Sequence, residues 1–460
     1  MQRRNLESLR SWKVRPSRKP LIIRGARQVG KTTLVRLFAQ SDFESLVEIN
    51  FERDPAVAEL FQPGDPKGIL ERLGVLLDQP IHPGKTLLFL DEIQAAPEVI
   101  ASLRYFFEEL PELHIIGAGS LLELALEQPT FSVPVGRIEY LHLGPMQFDE
   151  FLRAAGQDAK AEFLETFELG DTLPDALHRE LLSWLRRFLV VGGMPEAVRA
   201  HVADGGYRES EIAKNSVLAT FRDDFGKYGR QVDPGRIRKV FESLPRLIGR
   251  KLKYSHIDPG ERSKDLASAL HLLNLARVVH RVRHTSGNGV PLGAEAKDRL
   301  FKVIFLDVGL IATATGLSIL DIEGSDEITL VQQGTLAEQF VGQHLLYSAN
   351  HWEEPQLFYW AREKRNSSAE VDYLFSQGPH VIPVEVKAGK SGTLKSLHLF
   401  VQEKGRPFAL RFSSAPPSLL ETEVVLPNGV GASGTHTPLR LLSLPLYLVH
   451  QARRLVQSSL

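Results

Sequence analysis

The stretch Leu21-Ile22-Ile23-Arg24-Gly25-Ala26-Arg27-Gln28-Val29-Gly30-Lys31-Thr32-Thr33 decides the fold of the N-terminal part of this chain. Its first residues form a short apolar run that reads as a buried strand, and Thr33 to Gln40 reads as a helix. Between them stands G-x-x-x-x-G-K-[ST]. The order strand, loop, helix is the context that separates a phosphate-binding loop from a chance composition. Gly25 and Gly30 permit the backbone to wrap a phosphate chain, with Ala26, Arg27, Gln28 and Val29 forming the rest of the wall. The helix N-terminus adds amide donors and the positive end of a dipole. Lys31 is placed to reach the β and γ phosphates of ATP, Thr32 to ligate Mg2+, and Thr33 to complete the binding set.

A second apolar run, Thr86-Leu87-Leu88-Phe89-Leu90, ends in Asp91-Glu92. A carboxylate at the C-terminal end of a strand can hold the magnesium shell, and the next can orient the attacking water. Asp91 takes the first role here and Glu92 the second. Leu113 to Ile116 is a further strand that ends at Gly117-Ala118-Gly119-Ser120. Ser120 reads either as a sensor of the γ phosphate or as a helix N-cap. Arg137 stands just before another strand, Ile138 to Leu143. In ring-forming ATPases that position presents an arginine finger to the neighbouring subunit, and a solvated arginine would look the same.

The stretches GARQVGKTTL, FLDEIQ, GRIEYLHLGPMQFDEFL and GGMPEAV together resemble the AAA-type ATPases of bacteria and archaea whose C-terminal half is the family named DUF4143. The resemblance implies a P-loop ATPase core over residues 1–150 and a helical lid over 151–230. In the related signal-transduction ATPases a Gly-x-Pro element of the lid contacts nucleotide, and Gly193-Met194-Pro195 match it. An amphipathic helical pattern from Phe151 to about Arg230, with Leu164, Leu181, Leu182, Leu185 and Phe188 among its apolar positions, fits such a lid.

Composition bounds these readings. The chain has 460 residues, too many for one core, and suggests roughly two to four domains. Its net charge of −1 means that any nucleic-acid surface must be local. Cysteine is absent, which excludes disulfides and thiolate metal sites. Met1 to Pro20 is basic and lacks the apolar stretch of a secretory signal, and no run approaches the roughly 20 apolar residues of a membrane span. A cytoplasmic protein with no membrane partner is the expectation.

Arg230 to His284 holds thirteen Lys or Arg against five Asp or Glu, the largest local basic bias of a neutral chain. A helix from Pro234 to Ile248, a turn at Asp258-Pro259-Gly260, a helix from Ser263 to Leu273 and an alternating strand from Val278 to His284 resemble a winged helix over 231–290. Arg262 and Lys264 near the second helix start, and Arg281 and Arg283 on the wing, would then contact DNA. Winged helices also serve as protein-packing modules.

In the last part, 291–460, Lys302 to Leu310 reads as an apolar strand-like segment and Gly334 to Val341 as a helix carrying Glu338; both match the DUF4143 pattern. Three strand-like segments follow, at Gln356 to Trp360, Ala369 to Phe375 and Val381 to Lys387, and then a helix from Thr393 to Glu403 and a strand from Pro407 to Phe412. This is the α-β-β-β-α-β order of the PD-(D/E)XK nuclease fold. In that fold a helical Glu, an Asp on the second strand and a Glu on the third converge on Mg2+ or Mn2+. Glu338, Asp372 and Glu385 match them, and Lys387 shares the strand face of Glu385. Carboxylate oxygens suit a hard cation, and the lysine would orient water or offset developing charge. A Glu-x-Lys strand is also a common solvated edge.

The fold class expected is therefore α/β multidomain: an AAA-type core with helical lid, a winged helix and a PD-(D/E)XK nuclease-like domain. The function expected is ATP-dependent processing of DNA by a homo-oligomer, with a hexameric ring as one form. The site order followed by a lysine-bearing helix start (Lys390, Lys395) resembles archaeal Holliday-junction resolvases and points to branched DNA. The alternatives are a regulatory ATP switch whose C-terminal domain binds DNA or a partner protein without cleavage, and a structure-specific DNA-binding ATPase.

Overall fold

Strand β1 (Leu21–Arg24) is flanked on both sides by parallel neighbours, which is why it is apolar at every position but the last. Its sheet has the order β2-β3-β4-β1-β5, with β2 Ser45–Asn50, β3 Thr86–Asp91, β4 His114–Ala118 and β5 Glu139–His142. All pairings in it are parallel. Alternate residues serve opposite faces. Leu21, Ile23, Leu87 and Phe89 enter one apolar cluster, whereas Ile22, Leu88 and Leu90 enter another. The computed structural model describes residues 1, 3–61, 64–126, 134–203, 206–228, 232–317, 333–348, 350–364, 367–389, 393–425 and 436–460. The boundary expected at 230/231 and Lys390 lie outside these residues.

The next part of the chain is helical, in the segments Phe148–Ala154, Asp158–Thr166, Asp175–Val191, Pro195–Ala203 and Tyr207–Asp224. Helices Pro234–Ser243 and Ser263–Leu275 follow and pack on each other through Ile237, Val240, Leu266 and Leu270.

The second sheet has eight strands in the order β12-β13-β11-β10-β9-β8-β6-β7. Its members are β6 Val279–His284, β7 Lys297–Phe305, β8 Leu357–Lys364, β9 Ser367–Gln377, β10 His380–Val386, β11 Phe408–Ser413, β12 Ser418–Val424 and β13 Thr437–Pro445. Strand β6 pairs antiparallel with β7 and parallel with β8. The alternating strand of the basic segment is therefore an internal strand of this sheet, and the sheet runs across the boundary expected at 290/291.

The apolar segment 302–310 is a strand only in its first part. The side chain of Asp307 accepts the amides of Gly309 and Leu310, caps a helix at Val308–Ala314 and so turns the chain out of the sheet. Downstream, helix Gln333–Tyr347, the antiparallel strands β8, β9 and β10, helix Lys395–Lys404 and β11 occur in the anticipated order. Among the described residues no helix is long and apolar enough to cross a membrane.

Candidate nucleotide site and acidic cluster

The glycine loop lies where β1 ends, beside the C-terminal ends of β3 and β4. Ligands of open parallel sheets bind at that edge. Gln28 and Gly30 have φ of +66° and +92°, which curls the chain back before helix Lys31–Asp42. At Gly25 the turn leaves no room for a side chain, since a Cβ would meet the carbonyl oxygen of Leu143 at 2.2 Å. Lys31 is buried, and its Nζ donates to the carbonyls of Gly25 (3.0 Å) and Ala26 (2.8 Å). Burial pushes its pKa down to about 8, against the opposing pull of Glu92, Glu123 and Asp91.

Thr32 Oγ1 donates to Asp91 Oδ2 at 3.1 Å, so the two expected magnesium-side residues are already neighbours. Burial, then the adjacent Glu92, raise the Asp91 carboxyl above its ordinary value, while Thr32 pulls it back. Glu92 takes a left-handed conformation, φ +49°. Its Oε2 accepts from Gln94 Nε2 (2.7 Å) and from both the amide and the hydroxyl of Ser120 (3.3 Å each). Ser120 thus meets the carboxylate expected to orient water.

Of the Gly-x-Pro element, Pro195 reaches this site, whereas Gly193 packs against Met146 and Asp307. A Cβ on Gly30 would lie 3.4 Å from Pro195 Cγ. The turn is held on two sides: Met146 donates its amide to the Gly193 carbonyl at 2.7 Å, and the Gly193 amide donates to Asp307 Oδ2 at 2.7 Å. Arg27 is paired with Asp224 of the lid. Arg137 stands apart from these groups. It is half-exposed, bonded to Glu108 at 2.7 Å and near the ring of Phe107.

Two residues of the site carry no strong sequence signal. Gln94 follows the Asp91-Glu92 pair by two positions and is legible only as its neighbour. Arg3 donates to the Val29 carbonyl (2.8 Å), the Gly144 carbonyl (2.7 Å) and Glu150 (3.0 Å), bracing the loop from behind. Nothing in the basic N-terminal run distinguishes it from Arg4.

The second set of expected residues also comes together. Strands β9 and β10 pair with Tyr373 opposite Val384, which puts Asp372 and Glu385 side by side one step further on. Asp372 Oδ2 accepts the Val386 amide at 2.7 Å, and Glu385 Oε1 accepts from Lys387 Nζ at 2.5 Å. Glu385 Oε2 is buried without a hydrogen-bond partner. Burial, then Asp372, push the Glu385 carboxyl up to about 7, with Lys387 acting the other way. Glu338 lies close by but is engaged elsewhere, its Oε1 accepting from Lys302 Nζ at 2.6 Å. Lys302 also reaches Glu370 at 3.0 Å and lies 4.0 Å from Asp372.

Among the described residues no group of three or more His, Cys, Asp or Glu side chains is arranged to hold a metal ion. Glu385 Oε2 is left without a hydrogen bond, and beside it Asp372 Oδ1 has only the long 4.0 Å contact with Lys302 Nζ. Two carboxylates are what a largely hydrated magnesium ion takes, so the residues present fit one such ion on Asp372 and Glu385.

The basic segment is less available than its composition suggests. Arg236 is paired with Glu261 (3.1 Å), Lys239 with Asp258 (2.6 Å) and Arg277 with Glu123 and Glu354 (2.9 and 2.8 Å). Arg281 lies over the ring of Phe301, and Arg283 over Phe358 with a bond to Gln356 at 2.7 Å. Arg262 and Lys264 are exposed at the start of helix Ser263–Leu275.

Comparison with known families divides the chain in three. Residues 17–152 match the AAA domain family, residues 182–321 a domain of unknown function (DUF8612), and residues 333–416 a domain of unknown function (DUF4143). The first match contains the glycine loop, Asp91, Glu92, Ser120 and Arg137. The second contains Gly193, Pro195, Lys302 and Asp307, and the third contains Glu338, Asp372, Glu385 and Lys387. No curated protein matches the chain. Similar solved structures include the ORC2 protein of Aeropyrum pernix, at 13% identity and TM-score 0.30 over 65% of this chain and 87% of that one. The RuvB Holliday junction branch migration motor of Thermotoga maritima aligns at 16% identity and TM-score 0.28 over 61% and 90%. Drosophila ORC bound to DNA aligns at 13% and 0.24 over 68% and 86%.

Proposed function

We propose that this chain is a magnesium-dependent ATP hydrolase of the AAA type that uses the ATP cycle to work on DNA, with branched DNA such as a four-way junction as its preferred form. The observation that carries the reading is the convergence of Lys31, Thr32, Asp91, Glu92 and Ser120 at one edge of a parallel sheet, with Pro195 of the lid against Gly30.

Phosphate oxygens would replace the carbonyls of Gly25 and Ala26 as acceptors for Lys31, and a charge-assisted bond is the stronger of the two. Magnesium, when bound with the nucleotide, neutralises phosphate charge; Thr32 would hold it directly and Asp91 through water. Glu92 orients the attacking water, with Ser120 and Gln94 fixing its carboxylate. Arg137, exposed on the core, is available to the nucleotide of a neighbouring copy, which supports assembly as a homo-oligomeric ring.

The DNA-handling part rests on the C-terminal residues. A helix, three antiparallel strands, a helix and a strand, with Asp372, Glu385 and Lys387 adjacent, support a PD-(D/E)XK nuclease-like domain that takes Mg2+ or Mn2+. The two helices before β6 and the β6–β7 hairpin support a winged helix that offers Arg262 and Lys264 to phosphates. A second reading, an ATP switch whose C-terminal domain binds DNA or a partner without cutting, is favoured by the insertion of Lys302 among the acids.

The test is incubation of the full chain with labelled linear, forked and four-way DNA, with and without ATP and magnesium. The proposal expects DNA-stimulated ATP turnover, greatest with four-way DNA and lost in Lys31→Ala. Turnover indifferent to every DNA form would reject the DNA reading, and uncut DNA with stimulated turnover would select the switch.

A further inference from the structure

Lys302 is an unusual member of the acidic cluster. It projects from β7, at 1% side-chain exposure, into a site where four carboxylates meet. A lone buried ammonium is costly to desolvate, so such a lysine persists only where opposite charge surrounds it. Here Glu338 at 2.6 Å and Glu370 at 3.0 Å provide that charge, and the rings of Tyr359 and Tyr373 wall the ammonium at 5.3 and 5.5 Å.

The cluster therefore falls into two halves. Glu338 and Glu370 belong to Lys302. Asp372 lies further from Lys302, at 4.0 Å, and stands side by side with Glu385 and Lys387, where the buried Glu385 Oε2 has no hydrogen-bond partner. We propose that Lys302 is a fixed internal cation that takes the place of a second metal ion, holding Glu338 out of the metal shell so that this site accepts one divalent ion, on Asp372 and Glu385. This rests on the metal-binding, nuclease-like reading of the C-terminal domain. It changes the role of the helical glutamate from ligand to counter-charge for a lysine.

The experiment counts manganese bound by the full chain without nucleotide, by titration calorimetry and by the electron paramagnetic resonance of free Mn2+. Asp91→Asn serves as the background that removes any ion at the nucleotide site. The proposal expects one ion, at least about tenfold weaker in Asp372→Asn, and changed by no more than about twofold in Glu338→Gln. Lys302→Met should bind a second ion that is lost again in Lys302→Met with Glu338→Gln. Should Lys302→Met fail to fold, the Glu338→Gln titration still decides. Loss of the ion in Glu338→Gln, or two ions in the unaltered protein, would overturn the role of Lys302 while leaving the nuclease-like reading intact. No Asp372-dependent ion at all would overturn both.

Discussion

Asp307 accepts the Gly193 amide on Oδ2 at 2.7 Å and the Gly309 amide on Oδ1 at 3.0 Å, so one carboxylate caps the helix after β7 and holds the Gly193 turn, whose Pro195 lies against Gly30 of the glycine loop. Lys302 stands five residues before Asp307, on β7. The segment from Lys302 to Asp307 thus spans the distance between the acidic cluster and the nucleotide site. Gly192 and Gly193 permit this contact, because a Cβ on Gly192 would strike Asp307 Oδ1 at 2.1 Å and one on Gly193 the Met146 carbonyl at the same distance.

Replacing Asp307 by Ala should strand the buried Gly193 amide and uncap helix Val308–Ala314. A cost of about 1–3 kcal/mol is expected in urea unfolding. Turnover measured well below the unfolding midpoint should show a raised KM for ATP, because Pro195 is no longer held at Gly30. An unchanged KM with the stability loss would make Asp307 a cap and nothing more.

Lys31→Ala should abolish productive nucleotide binding, and Glu92→Gln should bind ATP but turn it over about 100-fold more slowly or worse. Ser120→Ala should fall between the native protein and Glu92→Gln, since Glu92 keeps its bond from Gln94. Native turnover in Glu92→Gln would move the catalytic carboxylate elsewhere.

The lowered pKa of Lys31, about 8, has a pH consequence. Below that value the folded protein presents a charged ammonium to phosphate; above it the free protein is increasingly neutral there, and binding must take up a proton. ATP affinity should therefore weaken as pH rises above about 8, by up to about tenfold per unit. For stability the sign is reversed. The unfolded chain, with Lys31 near 10.5, binds more protons than the folded one between pH 8 and 10.5, so the Lys31 contribution rises with pH across that window. Calorimetric titrations at several pH values in two buffers would read the proton uptake directly, and a flat profile to pH 9.5 would exclude it.

If Arg137 acts on a neighbour, turnover per chain should climb with protein concentration through the range of assembly. Arg137→Ala should lose about 1000-fold in turnover with ATP affinity kept. The Glu108 bond is at the surface and contributes little to stability, so unfolding should be nearly unchanged. Full turnover in a monomeric sample would exclude the trans role.

The AAA-type core was legible because its chemistry is local: eight consecutive residues, Gly25 to Thr32, specify the loop, and the Leu87–Leu90 run places Asp91 and Glu92 at a strand end. The order of elements from Glu338 to Phe412 was legible for the same reason. What local patterns do not encode is non-local pairing. The alternation of β6 reads as a wing, and its arginine face is half-exposed, yet the strand is paired on both sides, with β7 and β8, and Arg281 and Arg283 lie over Phe301 and Phe358 of those strands. Lys302 sits in an apolar run where a single lysine reads as a solvated position, and only the meeting of β7 with helix Gln333–Tyr347 and β9 gives it partners. Asp307 likewise looked like part of a strand until its capping bonds ended the strand.

DNA binding, if it uses the start of helix Ser263–Leu275, should lose about one unit of log–log salt slope for each of Arg262→Ala and Lys264→Ala. Arg281→Ala and Arg283→Ala should matter less, because those guanidinium groups are already stacked on Phe301 and Phe358. Fluorescence anisotropy on a four-way junction over a salt series would separate the pairs. The opposite ranking would put the DNA along β6 instead.

If the acidic cluster cuts DNA as proposed, cleavage should require magnesium or manganese and vanish alike in Asp372→Ala, Glu385→Ala and Lys387→Ala, because ion, water and charge compensation act as a unit whose single losses are not additive. Each variant should still hydrolyse ATP, since Asp372, Glu385 and Lys387 take no part in the contacts that hold Lys31, Thr32, Asp91 and Glu92. Glu338→Gln tests the division of the cluster in the same assay: with Glu338 assigned to Lys302, residual cleavage should exceed that of Asp372→Ala. DNA left intact by the native protein in both metals, alongside native ATP turnover, would instead place this chain with the non-cleaving switches, its acids serving to seat Lys302 and Lys387.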